Sequence, residues 1–102
     1  MVDAAILAID ESFLKKIPAD LGVTKSFLLG SYAKGNEREE SDIDIALVVA
    51  NMPDFFYTQA LLRKIRRKID LRIEPHPIRE QDFNKFNPFA CEIEQKGIEI
   101  RI

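Results

Sequence analysis

The sequence has very few of the residues that form cross-links or bind soft metals. Its 102 residues include one cysteine, Cys91, one histidine, His76, and no tryptophan. A single cysteine excludes an internal disulfide, and one cysteine with one histidine excludes a zinc site built from these residues. We therefore expect Cys91 to be a buried, unreactive thiol.

Long apolar segments and an excess of basic charge are also missing. No segment approaches the roughly 20 apolar residues that a membrane span requires, and no basic and apolar signal-peptide pattern is visible at the N-terminus. Fifteen basic and seventeen acidic residues give a net charge of −2, which argues against direct nucleic-acid binding. We expect a cytoplasmic protein that binds neither membranes nor nucleic acids.

The length predicts a single domain over residues 1–102, and hydrophobic periodicity predicts its elements. Ile6, Ile9, Phe13 and Ile17 form the apolar face of a first helix, whose solvent face is predicted to carry Asp3, Asp10, Glu11, Lys15 and Lys16. Strands are predicted at residues 23–29, 42–49 and 69–73 and at the C-terminus (Ile98, Ile100, Ile102), with extended chain at 74–77. Helices are predicted at 31–34, 53–68, 80–85 and 89–96, and a loop at 36–41. This order predicts an α/β (α+β) fold with a small mixed sheet flanked by helices.

The strongest chemical signal is the pair Asp42 and Asp44 at the start of the second strand. Residues two apart in a strand share a face, so these carboxylates are close enough to bind one cation. Ligands that are all carboxylate oxygens select magnesium or manganese. Such a site suits nucleotidyl transfer, in which metal ions neutralise the triphosphate.

A second signal is Gly30-Ser31, which follows the first strand and opens a predicted helix. Glycine allows close approach of a phosphate to the backbone, and the N–H groups of a helix start together with a serine hydroxyl are donors to anionic oxygens. Lys34 is either a surface residue or a phosphate ligand. Gly30, Ser31 and Lys34 are the predicted nucleotide-binding residues.

A third acid is predicted on the segment after the long helix. Alternation places Asp70, Arg72 and Glu74 on one face of the predicted strand. Asp70 is the predicted third metal ligand or base, because it begins its strand as Asp42 does, and Glu74 is the alternative.

Other groups have simpler interpretations. The basic run Arg63, Lys64, Arg66, Arg67 and Lys68 is predicted to be a solvated helix face. His76, between two prolines, is predicted to be a turn residue rather than an acid–base group. Phe83, Phe86 and Phe89 are predicted to be core, although an exposed pair would mark a partner interface.

The glycine–serine and aspartate motifs together resemble the polymerase-β-type nucleotidyltransferase superfamily. Residues 29–35 (LGSYAKG) and 41–47 (SDIDIAL) are especially similar to the minimal nucleotidyltransferases, the MntA-like antitoxins. The resemblance implies a polymerase-beta-like fold, ATP and Mg²⁺ as cofactors, and a third acid on a later strand, matched here by Asp70. It also implies a partner, a HEPN-family toxin that is an all-helical RNase and receives AMP on a tyrosine.

Three functions follow as hypotheses. The leading one is an Mg²⁺-dependent enzyme that transfers AMP from ATP to a tyrosine of a HEPN-type toxin and so acts as its antitoxin. An alternative keeps this chemistry with an aminoglycoside-like small-molecule hydroxyl as acceptor, but a chain this short has no helical domain to enclose one. A further alternative is a non-catalytic toxin-binding module, which has no need for mutually repelling carboxylates.

Overall fold

A four-stranded sheet with helices on both faces forms the centre of the molecule. The computed structural model describes residues 3–38 and 41–101. The strands run in the order β3-β2-β1-β4. The strands are β1 (Val23–Leu29), β2 (Ile43–Val49), β3 (Ile73–Arg79) and β4 (Ile98–Glu99). The helices are α1 (Ala4–Lys15), α2 (Gly30–Lys34), α3 (Phe55–Arg66) and α4 (Pro88–Lys96), with 3₁₀ turns at Ala19–Leu21 and Glu80–Asp82.

The strand directions bring three chain segments to one end of the sheet. β1 is antiparallel to β2 and to β4, and β2 is parallel to β3. Leu29 at the end of β1 therefore pairs with Asp44 near the start of β2, and Asp44 pairs with Glu74 near the start of β3. The first turn of α2 follows Leu29 directly, so it lies at this same end.

Two apolar cores of unequal size hold the layers together. The larger lies between the sheet and helices α1 and α3, and Phe13, Leu28, Ile45 and Leu62 are fully buried in it. The smaller packs α4 against the opposite face of the sheet, through residues that include Phe27, Ala46, Val48, Ala90 and Ile93. Burial at roughly 25 cal/mol per Å² of apolar surface makes these two interfaces the main stabilising contribution.

The fold class is confirmed, and most of the predicted elements exist. β1 has the predicted bounds, and β2 begins one residue later than expected. Helix α3 begins after Asp54, whose side chain accepts hydrogen bonds from the N–H groups of Phe56 and Tyr57, and it ends at Arg66, before the predicted end. Residues 39 and 40 of the predicted loop, and Ile102 of the predicted terminal strand, lie outside the described residues.

The predicted strand at residues 69–73 is wrong, because the strand lies further along the chain at Ile73–Arg79. The Asp70 carboxylate accepts a hydrogen bond from the Arg72 N–H at 2.9 Å, which closes a turn in place of extended chain. Pro75 and Pro77 are compatible with β3 because it is an edge strand. Outward-facing carbonyls of β3 accept from α3, as when the Gln59 amide donates to Pro75 O.

Four predictions about side-chain burial are also wrong. Asp10 is fully buried instead of facing solvent, because it lies one turn beyond Ile6 and one turn before Phe13 and Leu14, which are both in the core. Phe86 and Phe89 are exposed, while Phe83 packs against Phe27 as predicted for a core residue. The remaining residue, Cys91, is only half-buried, and its thiol faces the carbonyl of Lys85.

Membrane and nucleic-acid contacts were both predicted to be absent. No described helix combines the length and apolar character needed to cross a bilayer. The cytoplasmic location and the absence of direct nucleic-acid binding stay predictions.

Candidate active site

Two carboxylates lie opposite each other where β2 and β3 begin. Asp44 and Glu74 are direct register partners in this parallel pair. Ile43 and Ile73, which precede them, are both buried in the larger core. Since successive side chains alternate between faces, Asp44 and Glu74 share the other face of the sheet. The sheet register therefore brings together two acids that are distant in the sequence.

Gly30 lies against the Asp44 carboxylate. Its φ of +69° is in the left-handed region, and an added Cβ would lie 2.7 Å from Asp44 Oδ2. Both facts require glycine here. The first N–H groups of α2 follow at this point, and such groups have no acceptor within their own helix. This geometry leaves room for a phosphate to approach backbone donors beside a carboxylate.

His76 is the closest side-chain partner of Asp44. Its Nε2 lies 3.0 Å from Asp44 Oδ1. An ionised carboxylate only accepts hydrogen bonds, so Nε2 must be the donor. The prediction that His76 is a turn residue is wrong, because it lies within β3 on the face that carries the acids.

Glu74 is held by two arginines of α3. Arg63 NH2 donates to Oε1 at 2.8 Å, and Arg66 NH1 donates to Oε2 at 3.1 Å. Burial alone would raise the pKa of Glu74, but these hydrogen bonds and the two positive charges outweigh it and lower that pKa. Two members of the predicted solvated basic face are therefore engaged with a site acid.

Asp42 lies just before β2 and is exposed. The strand begins at Ile43, so two-residue alternation does not fix the direction of the Asp42 side chain. Its exposure near the start of β2 makes it available to a ligand from solvent.

Asp70, the predicted third acid, is paired with Arg72 in this structure. It is in the turn before β3, where both of its carboxylate oxygens accept hydrogen bonds from the Arg72 guanidinium, at distances from 2.8 to 3.3 Å. These hydrogen bonds lower the pKa of Asp70. Arg72 also donates to the Tyr32 hydroxyl at 3.2 Å. The arrangement is that of a structural ion pair, which ties the turn to α2.

The predicted nucleotide-binding residues Gly30 and Lys34 border one small cavity. It measures about 100 Å³ and lies between α2 and α4, with Phe89, Glu92 and Lys96 on the α4 side. Ser31 is half-exposed at the start of α2. Lys96 is a basic residue near Gly30 that sequence reasoning missed, since nothing in its local pattern links it to the glycine.

A second groove of about 290 Å³ runs along the outer edge of β3 and is lined by residues that include Phe55, Gln59, His76, Asn87 and Phe89. It adjoins the acid pair through His76. Another groove, of about 570 Å³, lies at the opposite end of β1, and Glu99 is the carboxylate among its described lining residues. The candidate chemistry is therefore at the smaller grooves.

The side chains as they stand do not form a closed metal site. Among residues 3–38 and 41–101, no three acidic, histidine or cysteine side chains are grouped so that they could hold a metal ion. Neither the predicted set of Asp42, Asp44 and Asp70 nor a set with Glu74 in place of Asp70 is assembled among these residues. The donors near Gly30 nevertheless fit Mg²⁺, since they are carboxylate oxygens and a side chain at position 30 would obstruct the Asp44 oxygen.

Sequence reasoning missed His76, Arg63 and Arg66 as contributors to the site. A signal existed for His76: Pro75 and Pro77 occupy alternate positions, so an extended chain there puts Glu74 and His76 on the opposite face. No local signal links α3 to Glu74, because the pairing depends on how the helix crosses the sheet edge.

The sequence matches known proteins over most of its length. The family model "Polymerase beta, Nucleotidyltransferase" matches residues 11–100. "Putative protein adenylyltransferase MJ0141" of Methanocaldococcus jannaschii is 31% identical over 100 residues, which covers 93% of this chain and 98% of the relative. A second protein of that organism, "Putative protein adenylyltransferase MJ0604", is 43% identical over 63 residues, 62% of this chain and 61% of the relative.

Solved structures share the fold. A crystal structure of a toxin–antitoxin with AMP-PNP superposes with a TM-score of 0.66 at 21% identity, covering 93% of this chain and 72% of the other. A mutant of the toxin–antitoxin MntA-HpeT superposes with a TM-score of 0.63 at 19% identity, covering 94% and 72%. The family model spans nearly the whole sequence, and the acids lie at the end of the sheet where β2 and β3 begin. This chain therefore belongs to the polymerase beta nucleotidyltransferase family.

Proposed function

We propose that this chain is a single nucleotidyltransferase domain that transfers AMP from ATP to a tyrosine of a HEPN-type toxin and so acts as its antitoxin. The observation that carries the proposal is the register of Asp44 with Glu74, next to a glycine that leaves the Asp44 carboxylate open. Carboxylates so placed beside backbone donors suit transfer of a phosphate-linked group.

In this proposal the tyrosine oxygen attacks the α-phosphorus of ATP. A new O–P bond forms, the bond from the α-phosphorus to the bridging oxygen breaks, and pyrophosphate leaves with that electron pair. The hydroxyl proton passes to a carboxylate of the site or to water. Gly30 and Ser31 bind the triphosphate with backbone and hydroxyl donors, and Lys34 adds a positive charge beside the same cavity.

Asp42, Asp44 and Glu74 are the residues that would hold Mg²⁺. The ion would neutralise the triphosphate charge and lower the barrier to attack on phosphorus. We choose Glu74 over Asp70 as the third acid because Glu74 is the register partner of Asp44. Both acids are paired with arginine, Asp70 with Arg72 and Glu74 with Arg63 and Arg66, so the register decides the choice. In this proposal Glu74 gives up the hydrogen bonds from Arg63 and Arg66 when it binds the cation.

A protein acceptor is supported by the names and length of the relatives. The relative covered over 98% of its length is named a protein adenylyltransferase, and the two structural neighbours are toxin–antitoxin complexes, one of them with an ATP analogue. A folded partner protein would bring its own tyrosine to the site.

The test uses α-labelled and γ-labelled ATP with Mg²⁺ and a co-expressed HEPN-type partner. Label from the α position, and not from the γ position, is expected on the partner, and peptide mapping should locate it on tyrosine. Asp42→Asn, Asp44→Asn and Glu74→Gln are each expected to reduce transfer by at least about 100-fold, since each removes charge at the reacting phosphate.

Two comparisons make the result decisive. Glu94→Gln, an exposed acid of α4, is the matched control and should keep full transfer. Asp70→Asn should keep most of it, and an equal loss in Asp70→Asn and Glu74→Gln would refute our choice of third acid. Neutralisation of the toxin without any label would leave the chain as a non-catalytic binder, and label on a small hydroxyl compound would change the acceptor.

A further inference from the structure

We propose that His76 is a positioning residue, which fixes the Asp44 carboxylate so that its second oxygen faces the nucleotide. This inference rests on the proposed function, since it concerns the same carboxylate. It assigns a role to the only histidine in the sequence, a residue that sequence reasoning left without one.

The backbone of His76 is unusually constrained for an edge strand. Pro75 and Pro77 flank it, and each proline ring fixes φ near −65° while disfavouring helical conformations of the preceding residue. The chain is tied to β2 through the register Ala46↔His76 and to α3 through the Gln59 amide, which donates to Pro75 O at 2.9 Å. The flanking prolines, strand β2 and helix α3 therefore all restrict the position of the His76 Cα.

The imidazole itself is also packed. Its ring lies edge-on to the Phe89 ring of α4, with centroids 6.3 Å apart. About a third of the side chain is exposed, on the side of the groove that Phe55 and Phe89 line. The aromatic contact with Phe89 and the hydrogen bond at Nε2 both restrict rotation of the ring.

The two oxygens of Asp44 consequently have different surroundings. Oδ1 accepts the hydrogen bond from His76 Nε2 at 3.0 Å, while Oδ2 points to Gly30, at 2.7 Å from where a Cβ would be. Rotation of the carboxylate would break the hydrogen bond to His76. The imidazole thus holds Oδ2 on the Gly30 side, where we place the triphosphate and its cation.

Removing this hydrogen bond should weaken binding of the metal–nucleotide without unfolding the protein. Loss of a group that orients a ligand carboxylate typically costs about 10- to 100-fold in metal affinity. The effect should follow the Nε2 donor and not the ring, because the carboxylate requires only a donor at that place. Glutamine carries an N–H donor at a similar distance from its Cα, whereas leucine has none.

The experiment measures binding of Mn²⁺ with α,β-methylene ATP to the full chain, by calorimetry and by the Mn²⁺ electron paramagnetic resonance signal. His76→Leu is expected to weaken binding about 10- to 100-fold, and His76→Gln to stay within about threefold of wild type. In the transfer assay, His76→Leu should lower kcat while the KM for the acceptor stays unchanged. Circular dichroism and thermal unfolding check that both variants fold.

Asp44→Asn separates the inference from the proposed function. If Asp44→Asn binds Mn²⁺–nucleotide as well as wild type, the site itself is misplaced and both proposals fail. If Asp44→Asn loses affinity but His76→Leu does not, the site stands and the positioning role is overturned. If His76→Gln is as impaired as His76→Leu, the donor is not what matters and the inference again fails.

Discussion

Asp10 should make the protein lose stability as the pH rises through neutrality. This residue of α1 is completely buried, and neither carboxylate oxygen has a hydrogen-bond partner in the described part of the chain. Burial raises its pKa from 3.8 to about 7. The folded state therefore holds a proton on Asp10 between these two values, where the unfolded chain has already released it.

The size of the effect follows from the two pKa values. Each unit of difference between folded and unfolded states corresponds to about 1.4 kcal/mol. Below pH 3.8 the penalty is absent, at pH 5 it is about 2 kcal/mol, and by pH 8 it reaches about 4 kcal/mol. Stabilities of domains of this size are about 5–15 kcal/mol, so the loss between pH 5 and pH 8 is a large fraction of the total.

Asp10→Asn removes the charge and keeps the shape. Urea unfolding of wild type and variant at pH 5 and pH 8 measures the effect, and wild type should lose about 2–3 kcal/mol between the two pH values. The variant should lose almost none. With m-values of about 1–3 kcal/mol per M urea, the midpoint of wild type should fall by roughly 0.7–3 M.

Other acids do not obscure this result. The pKa values of Asp70 and Glu74 are lowered, so their contributions are lost as the pH falls below their ordinary range, outside the measured interval. Asp20→Asn, at an exposed position, is the matched control and should keep the pH dependence of wild type. Equal pH dependence in Asp10→Asn and wild type would refute the argument.

Three further changes test the fold and the site. Gly30→Ala should lose about 1–2 kcal/mol of stability through its positive φ and should also lose transfer activity. Gly35→Ala has a similar φ but open space around it, so it should lose only stability. Equal transfer activity in the two variants would contradict the contact between Gly30 and Asp44. Phe86→Ser, at an exposed position, should change the unfolding free energy by less than about 0.5 kcal/mol, and a fall of several degrees in Tm would disprove this. Asp70→Asn should lose up to about 1 kcal/mol at pH 7, because the partly exposed pair with Arg72 is screened by solvent. Because the pKa of Asp70 is lowered, this loss should shrink in urea titrations as the pH falls below the ordinary aspartate range.

The central part of the fold could be predicted because its signals are local. Residues 23–29 and 43–49 are apolar segments bounded by glycine or acids, and their strand character follows from periodicity. The start of α3 follows from the capping residue Asp54. The position of β3 could not be read in this way, because two prolines argue against a strand unless that strand is known to lie at the edge of its sheet.

The site was predictable as far as its motifs extend along the chain. Gly30, Asp42 and Asp44 carry signals in their own neighbourhood. The third acid depends on which residue of β3 pairs with Asp44. Because the strand lies a few residues later than predicted, that residue is Glu74 and not Asp70. The burial of Asp10 was not predicted, because aspartate is rarely fully buried even at a position on the apolar side of a helix.

Alternation along β3 places its two prolines on one face of the sheet and Glu74 and His76 on the other. A slip of β3 by one residue against β2 would turn every side chain to the other face, so Glu74 would enter the core and Ile73 would leave it. Two α3 side chains oppose such a slip by binding outward-facing carbonyls, Gln59 at Pro75 and Arg66 at Ile73, the latter at 2.7 Å. Prolines cannot donate from that outer edge, which also discourages another strand from pairing there. The prolines that make β3 difficult to recognise in the sequence thus leave its outer carbonyls to α3, whose side chains help to keep Glu74 in register with Asp44 and His76 in register with Ala46.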